Sequence, residues 1–261
     1  MNSNQLNSIE DVISILDDII LETEINNNPL GYFAVLYRKV TVKVKEGIEN
    51  NYFDDGPRME KLDVVFARYY IDAYFSWKQN QTVSQSWTRA FTISENKSML
   101  VLQHLLLGMN AHINLDLGIA AAEISTEENI HQLKNDFIKI NEILSAQVDE
   151  VQFGLSAIWS PLKKILSKTG QIDNYLVDFS MKIARDGAWN FATEMVQFKE
   201  SDWLVSIQTR DFKVAEKSKI ITHPNKWIQF LLWIIRLGER GSVSEKINKL
   251  KAIAPASLET S

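Results

Sequence analysis

The stretch Leu105–Ala122, LLLGMNAHINLDLGIAAA, constrains this chain more than any other. It lies within a segment from Ser98 to Ala122 whose apolar residues fall on every side of a helix. Such a helix belongs in the middle of a protein or in a membrane. The segment is long enough to span a bilayer, but His104, His112 and Asp116 would then lie in hydrocarbon. There a single Asp costs roughly 2.5–3.5 kcal/mol. A buried central helix, wrapped by others, is the expectation. The other strongly apolar run, WIQFLLWII (Trp227–Ile235), is too short to span, so no membrane span is expected.

The rest of the chain reads as the wrapping. Only 5 Pro and 10 Gly occur, mostly between periodic apolar segments. Ser8 to Asp11 is a capping signal ahead of a helix carrying Ile9, Val12, Ile13, Leu16, Ile19 and Ile20. NNNPLG ends that helix, and Pro29 opens another reaching about Asn50, although its VTVKVKEG portion alternates like a strand. DDGP turns the chain into a helix from Pro57 bearing MEKLDVVFARYYIDAYFSW, and a shorter one holds SWTRAF. Beyond the central helix, Ser125–Glu128 reads as a capping box for IHQLKNDFIKINEILSAQV. SPLKKILSKTG, Asp173–Phe198, WLVSIQTRDFKVAEK, PNKWIQFLLWIIRLGERG and a short terminal helix follow. No hairpin signal, repeat or Gly/Ser linker divides the chain, so the expectation is one all-α domain over residues 1–254, about ten helices, with a tail at 255–261.

Composition excludes several classes of function. A formal net charge of −5 and the lack of any basic run interleaved with aromatics argue against nucleic acid. The absence of Cys removes disulfides, thiolate metal sites and cysteine nucleophiles. The N-terminal MNSNQLNSIEDVISIL has no basic region and places Glu10 and Asp11 where a signal peptide would be apolar, so a cytoplasmic location is expected. No dinucleotide, P-loop, nucleophile-elbow or E-x-x-H di-iron motif occurs.

The polar residues of the central helix are its chemistry. At about 100° per residue, with His104 at zero, His112 falls near 80° and Asp116 near 120°, roughly. Gln103, Asn110 and Asn114 cluster at about 240° to 280°. His112 and Asp116 are therefore neighbours one turn apart, while His104 lies about 12 Å back along the axis. An imidazole and a carboxylate so placed form half of a divalent-metal site, zinc first, or a buried hydrogen bond that crosslinks the core. Asp186, in ARDGAWNFA with Arg185 and Trp189, is the candidate third ligand, or else Arg185 and Asp186 point apart, each in its own salt bridge. Arg68 and Asp72 are spaced to pair with each other. Asp63 and Asp136 read as solvated, His131 as a surface residue, His223 before Pro224 as a turn or N-cap neighbour, and Trp159, Trp227 and Trp233 as core.

The segments QHLLLGMNAHINLDLGIA, LDVVFARYYIDA, DFIKIN and ARDGAW together resemble a family of bacterial and fungal proteins known only as a domain of unknown function. That resemblance implies one structural unit and no activity. At motif level, Leu107, Gly108, His112 and Asp116 are also similar to the metal-binding helix of zinc-dependent phospholipase C and P1-type nucleases, which implies zinc ligation by His112 and Asp116. The P-x-H and H-x-x-x-E elements of those enzymes are missing here.

Two readings follow. In the first, the protein is a metal-dependent hydrolase in which His112, Asp116 and Asp186 bind the metal and His104 and Arg185 act in catalysis. Arg68, Asn110, Asn114 and Trp189 then contact substrate. In the second, it is a metal-free protein that binds a small molecule in a polar pocket between helices. A third, blander reading makes the polar core a device for helix register.

Overall fold

Helices carry the fold in the computed structural model, which describes residues 6–96, 98–140, 142–143 and 181–252. They are α1 (Ile9–Ile25), α2 (Gly31–Glu49), α3 (Gly56–Lys78), α4 (Gln85–Thr92), α5 (Val101–Glu123), α6 (Met181–Met195), α7 (Glu200–Lys217), α8 (Lys226–Gly238) and α9 (Val243–Ala252). Residues 134–140 are also helical, and a single turn, Lys219–Thr222, links α7 to α8. The architecture is an all-α bundle, without strands among the described residues.

Local signals set several boundaries. Ser8 and Asp11 form the expected capping box, each side chain holding the other's backbone N–H. Asp55 caps α3 at Arg58 N, with Pro57 in the first turn, where a missing N–H costs nothing. The strand-like VTVKVKEG is helical to Glu49. Its alternate valines are outweighed by burial of Val40, Thr41, Val44 and Gly47 along one side of α2. The box expected at Ser125–Glu128 does not form. Thr126 N instead donates to Asn129 Oδ1 at 2.8 Å, and a short 3₁₀ turn, Ile130–Leu133, precedes helical residues 134–140.

Helix α5 is the axis of the bundle, with every residue from Gln103 to Ala122 buried. Helices α2, α3, α4, α6 and α7 pack around it, and α1 and α9 lie outside against α2. Two glycines of α5 make these approaches possible. A Cβ on Gly108 would lie 2.5 Å from ring atoms of Phe33, and one on Gly118 would lie 2.9 Å from the Ala188 carbonyl oxygen. At Gly118, α6 packs its backbone directly on α5.

Two expectations about burial are overturned. Trp227 and Trp233 are 50% and 57% exposed, because α8 buries Ile228, Leu231, Leu232 and Ile235 and turns its indoles outward. Trp159 lies outside the described residues, as do Asn141, the SPLKKILSKTG segment, the start of the Asp173 helix and the 255–261 tail.

Candidate functional site

The central helix changes its winding where its polar residues concentrate. His112–Asp116 forms a π turn, in which Leu117 N–H bonds to the His112 carbonyl five residues back. One residue is thus inserted into an otherwise continuous helix, a feature common at functional sites. The guanidinium of Arg210, from α7, donates from Nε to the Asn114 carbonyl inside this turn at 2.8 Å.

The two polar faces inferred from the sequence are real, and they do different things. On the amide face, Gln103 Nε2 donates to the Ile221 carbonyl at 3.0 Å, and Asn110 Nδ2 donates to the Val214 carbonyl at 2.9 Å. Asn114 Nδ2 donates to Asn110 Oδ1 at 3.1 Å. These amides, Asn110 and Asn114 included, brace α5 against α7 and the turn after it. Their donors are engaged with protein.

On the other face, His112 Nδ1 lies 3.0 Å from Asp116 Oδ2, and that same oxygen accepts the indole N–H of Trp87 at 2.9 Å. Both residues are almost fully buried, at 2% and 1% exposure. Rings enclose the imidazole. Phe66 stacks on it with centroids 3.6 Å apart and planes at 6°, and Tyr37 meets it edge-on at 4.5 Å. Burial disfavours the charged form of each, pushing His112 well below its ordinary value and Asp116 well above its own. Because the indole can only donate, Oδ2 is an acceptor. His112 Nε2 is the imidazole nitrogen left without a partner.

Around this pair, polar atoms lack partners. His112 Nε2, Tyr70 Oη and Asp63 Oδ2 are buried and make no hydrogen bond. Leaving such a group unpaired costs about 1–3 kcal/mol, so each calls for an explanation. Asp63 corrects an expectation, since it is buried on α3 rather than solvated, and burial pushes its carboxyl up to about 8. Tyr70 also forms part of the wall of a cleft lined by Pro29, Leu30, Phe33, Trp87, Ala90, Phe91, His104 and Gly108. The open space is about 20 Å³, enough for one water. His104 sits edge-on to Tyr32, and burial and the Lys246 charge push it down to about 4. No charged group lines the cleft.

The remaining candidates lie elsewhere. Asp186 is exposed, so it does not join the buried His112–Asp116 pair, although Arg185 beside it is buried. The two adjacent positions fall on different sides of α6. Trp189 is half-buried against Phe137, with ring centroids 5.1 Å apart. Arg68 and Asp72 are half-buried on α3, and no ion pair between them occurs among the described contacts. His131 is on the surface, as expected, and His223, also exposed, is the C-cap of the Lys219–Thr222 turn ahead of Pro224. Among the described residues, no group of three His, Cys, Asp or Glu side chains comes together that could hold a metal ion. His112 and Asp116 bond to each other rather than converge on a third point.

Sequence reasoning missed three carboxylates that cap helices from a distance. Asp211 on α7 accepts Gln85 N and Ser86 N at the start of α4, at 2.7 and 2.9 Å. Glu239 accepts Val101 N at the start of α5 and pairs with Lys246 at 2.9 Å. Asp136, expected to be solvated, is buried and accepts Asp54 N and Asp55 N ahead of α3. A carboxylate at a helix N-terminus satisfies orphan N–H groups and complements the helix dipole. No local pattern around these acids marks the role, because each partner is far away in the chain.

No curated protein and no solved structure matches the chain, so nothing supports the likeness to zinc-dependent phospholipases and nucleases. A family model does match, over residues 9–224, which takes in α1 to α7 and every residue of the cleft. The chain belongs to that family, described as a family of unknown function, DUF5995.

Proposed function

We propose that the protein binds a small, uncharged, mostly aromatic or aliphatic molecule in the cleft among α2, α3, α4 and α5. The observation that carries this reading is an aromatic-walled hollow lined in part by Tyr70, whose buried hydroxyl has no partner. Apolar walls with a few convergent polar groups are the usual make-up of a small-molecule site. The lining fixes the class of ligand. His104 is neutral at physiological pH and no Lys, Arg, Asp or Glu faces the hollow, so an ionic ligand would be desolvated without a partner. His104 and the Tyr70 hydroxyl orient one or two polar atoms of the ligand. The space as it stands suits one water, so binding requires rings such as Phe33 and Phe91 to turn aside.

Native mass spectrometry of the purified protein, with a thermal-shift screen of uncharged aromatic compounds, tests this. The expected result is a bound organic mass or a raised melting temperature that Tyr70→Phe and His104→Leu diminish without loss of helical signal. Absence of both a bound molecule and any shift overturns the reading.

Metal-dependent hydrolysis is the second reading, and one observation favours it. Asp116 holds His112 by Nδ1 and leaves Nε2 bare, the way a carboxylate commonly orients a metal-ligating imidazole. On this reading Asp116 orients the ligand His112 and does not itself bind metal. Elemental analysis of untagged protein decides it, since a stoichiometric divalent metal supports it and a metal-free preparation unmoved by added zinc removes it.

A further inference from the structure

Helix α8 is apolar on both sides, and among the described residues only one side is covered. Ile228, Leu231, Leu232 and Ile235 face the bundle. Trp227, Phe230, Trp233 and Leu237 face outward, each about half exposed. The outer rings form a continuous stripe, with Trp227–Phe230 centroids 5.8 Å apart and Phe230–Trp233 centroids 6.0 Å apart. A contiguous exposed aromatic stripe marks an interaction surface, whereas single exposed apolar residues do not.

Charge indicates the occupant. The chain carries a formal charge of −5. Residues 220–240 run the other way, with Lys226, Arg236 and Arg240 against the single acid Glu239. Glu239 is turned inward, bonded to Val101 N and paired with Lys246. Lys226 and Arg240 are exposed at the two ends of the stripe. The face therefore offers indole and phenyl rings to an apolar phase, and the exposed charges of its own segment, Lys226 and Arg240, are cations. An anionic bilayer surface matches both properties. Trp and Phe settle at the boundary between headgroups and acyl chains, and Lys and Arg are drawn to anionic lipid. An acidic protein is repelled by such a surface everywhere except at a patch of this kind.

We propose that α8 is a peripheral docking helix for anionic membrane surfaces, lying in the plane of the interface with Trp227, Phe230, Trp233 and Leu237 inserted. It is too short to span. This inference is independent of the cleft reading, because none of these residues lines the cleft.

Flotation of the full-length protein with vesicles of phosphatidylcholine alone, and of phosphatidylcholine mixed with phosphatidylglycerol, tests it. Binding is expected to the anionic vesicles only, and to weaken as salt is raised. Trp227→Ser combined with Trp233→Ser should lower partitioning more than about tenfold, the scale of removing buried aromatic area. Replacing Lys226 and Arg240 by Gln should lower it by about fivefold for each charge. Leu21→Ser, at an equally exposed leucine of α1, should leave binding unchanged. Circular dichroism of every variant should match the parent. Light scattering covers the competing occupant, a second copy of the chain. A dimer that the tryptophan substitutions convert to monomer overturns the proposal, as does equal or absent binding to both vesicle types.

Discussion

Replacing Asp63 with Asn probes a strained electrostatic feature of the interior. Asp63 is buried on α3 with Oδ2 unpartnered, and desolvation, aided by the Glu60 charge, pushes its carboxyl from 3.8 up to about 8. Near neutral pH the folded protein keeps this proton while the unfolded chain releases it. Stability contributed by the group is therefore complete below about pH 3.8 and is lost as pH rises toward about 8. At about pH 7 the gap to the unfolded value is roughly 3 pH units, and at about 1.36 kcal/mol per unit the loss is at most about 4 kcal/mol. Asn has the same shape and no charge in either state, so the variant escapes this loss. His104 acts in the opposite sense. Its folded value is lowered from 6.5 to about 4, so its contribution is complete above about pH 6.5 and falls away as pH drops below it. The two slopes oppose each other between about pH 4 and 6.5, and Asp63 acts without that opposition between about 6.5 and 8. Urea unfolding of parent and variant at about pH 5, 6.5 and 8 reads the difference directly. The variant should gain on the parent as pH rises and exceed it by about 2–4 kcal/mol near pH 7.5. Parallel stability–pH curves, or a variant weaker throughout, would refute the argument that Asp63 is buried as a neutral acid.

Other perturbations follow from the same contacts. Trp87→Phe removes the indole N–H from buried Asp116 and should cost about 1–3 kcal/mol in chemical denaturation, with far-ultraviolet dichroism unchanged. Gly108→Ala puts a methyl against the Phe33 ring and should cost about 1–3 kcal/mol through overpacking, while weakening any thermal shift produced by a cleft ligand. Asp211→Ala uncovers two N–H groups of α4, so hydrogen exchange should speed up over Gln85–Trp87 more than in α1. His104→Gln should remove up to about 3 kcal/mol of the stability lost between about pH 6.5 and 4, measured by unfolding at both ends of that interval.

Much of this organisation was legible in the chain before any coordinates. The all-round apolar character of Ser98–Ala122 announces a central helix, because such a segment has no face to give to water. Helical phase separated the amides from His112 and Asp116, and the structure keeps that separation. The Ser8 box and the Asp55–Pro57 start were readable because capping is a contact between near neighbours.

Other features have no local signature. The π turn depends on what packs against His112–Asp116, notably the Phe66 stack and the Arg210 contact, neither of which is near in sequence. Asp63, Asp136 and Asp211 look like any helical acid until other elements close over them. Trp227 and Trp233 show the converse error. Their apolarity predicts burial, yet α8 has two apolar sides and, among the described residues, only one is covered. Sequence alone determined the elements, the central helix and the polar pair it carries, since periodicity and caps act over a few residues. Tertiary structure alone decided which acids are buried, which donors are satisfied and which aromatic face stays open, because desolvation depends on what arrives from elsewhere in the chain.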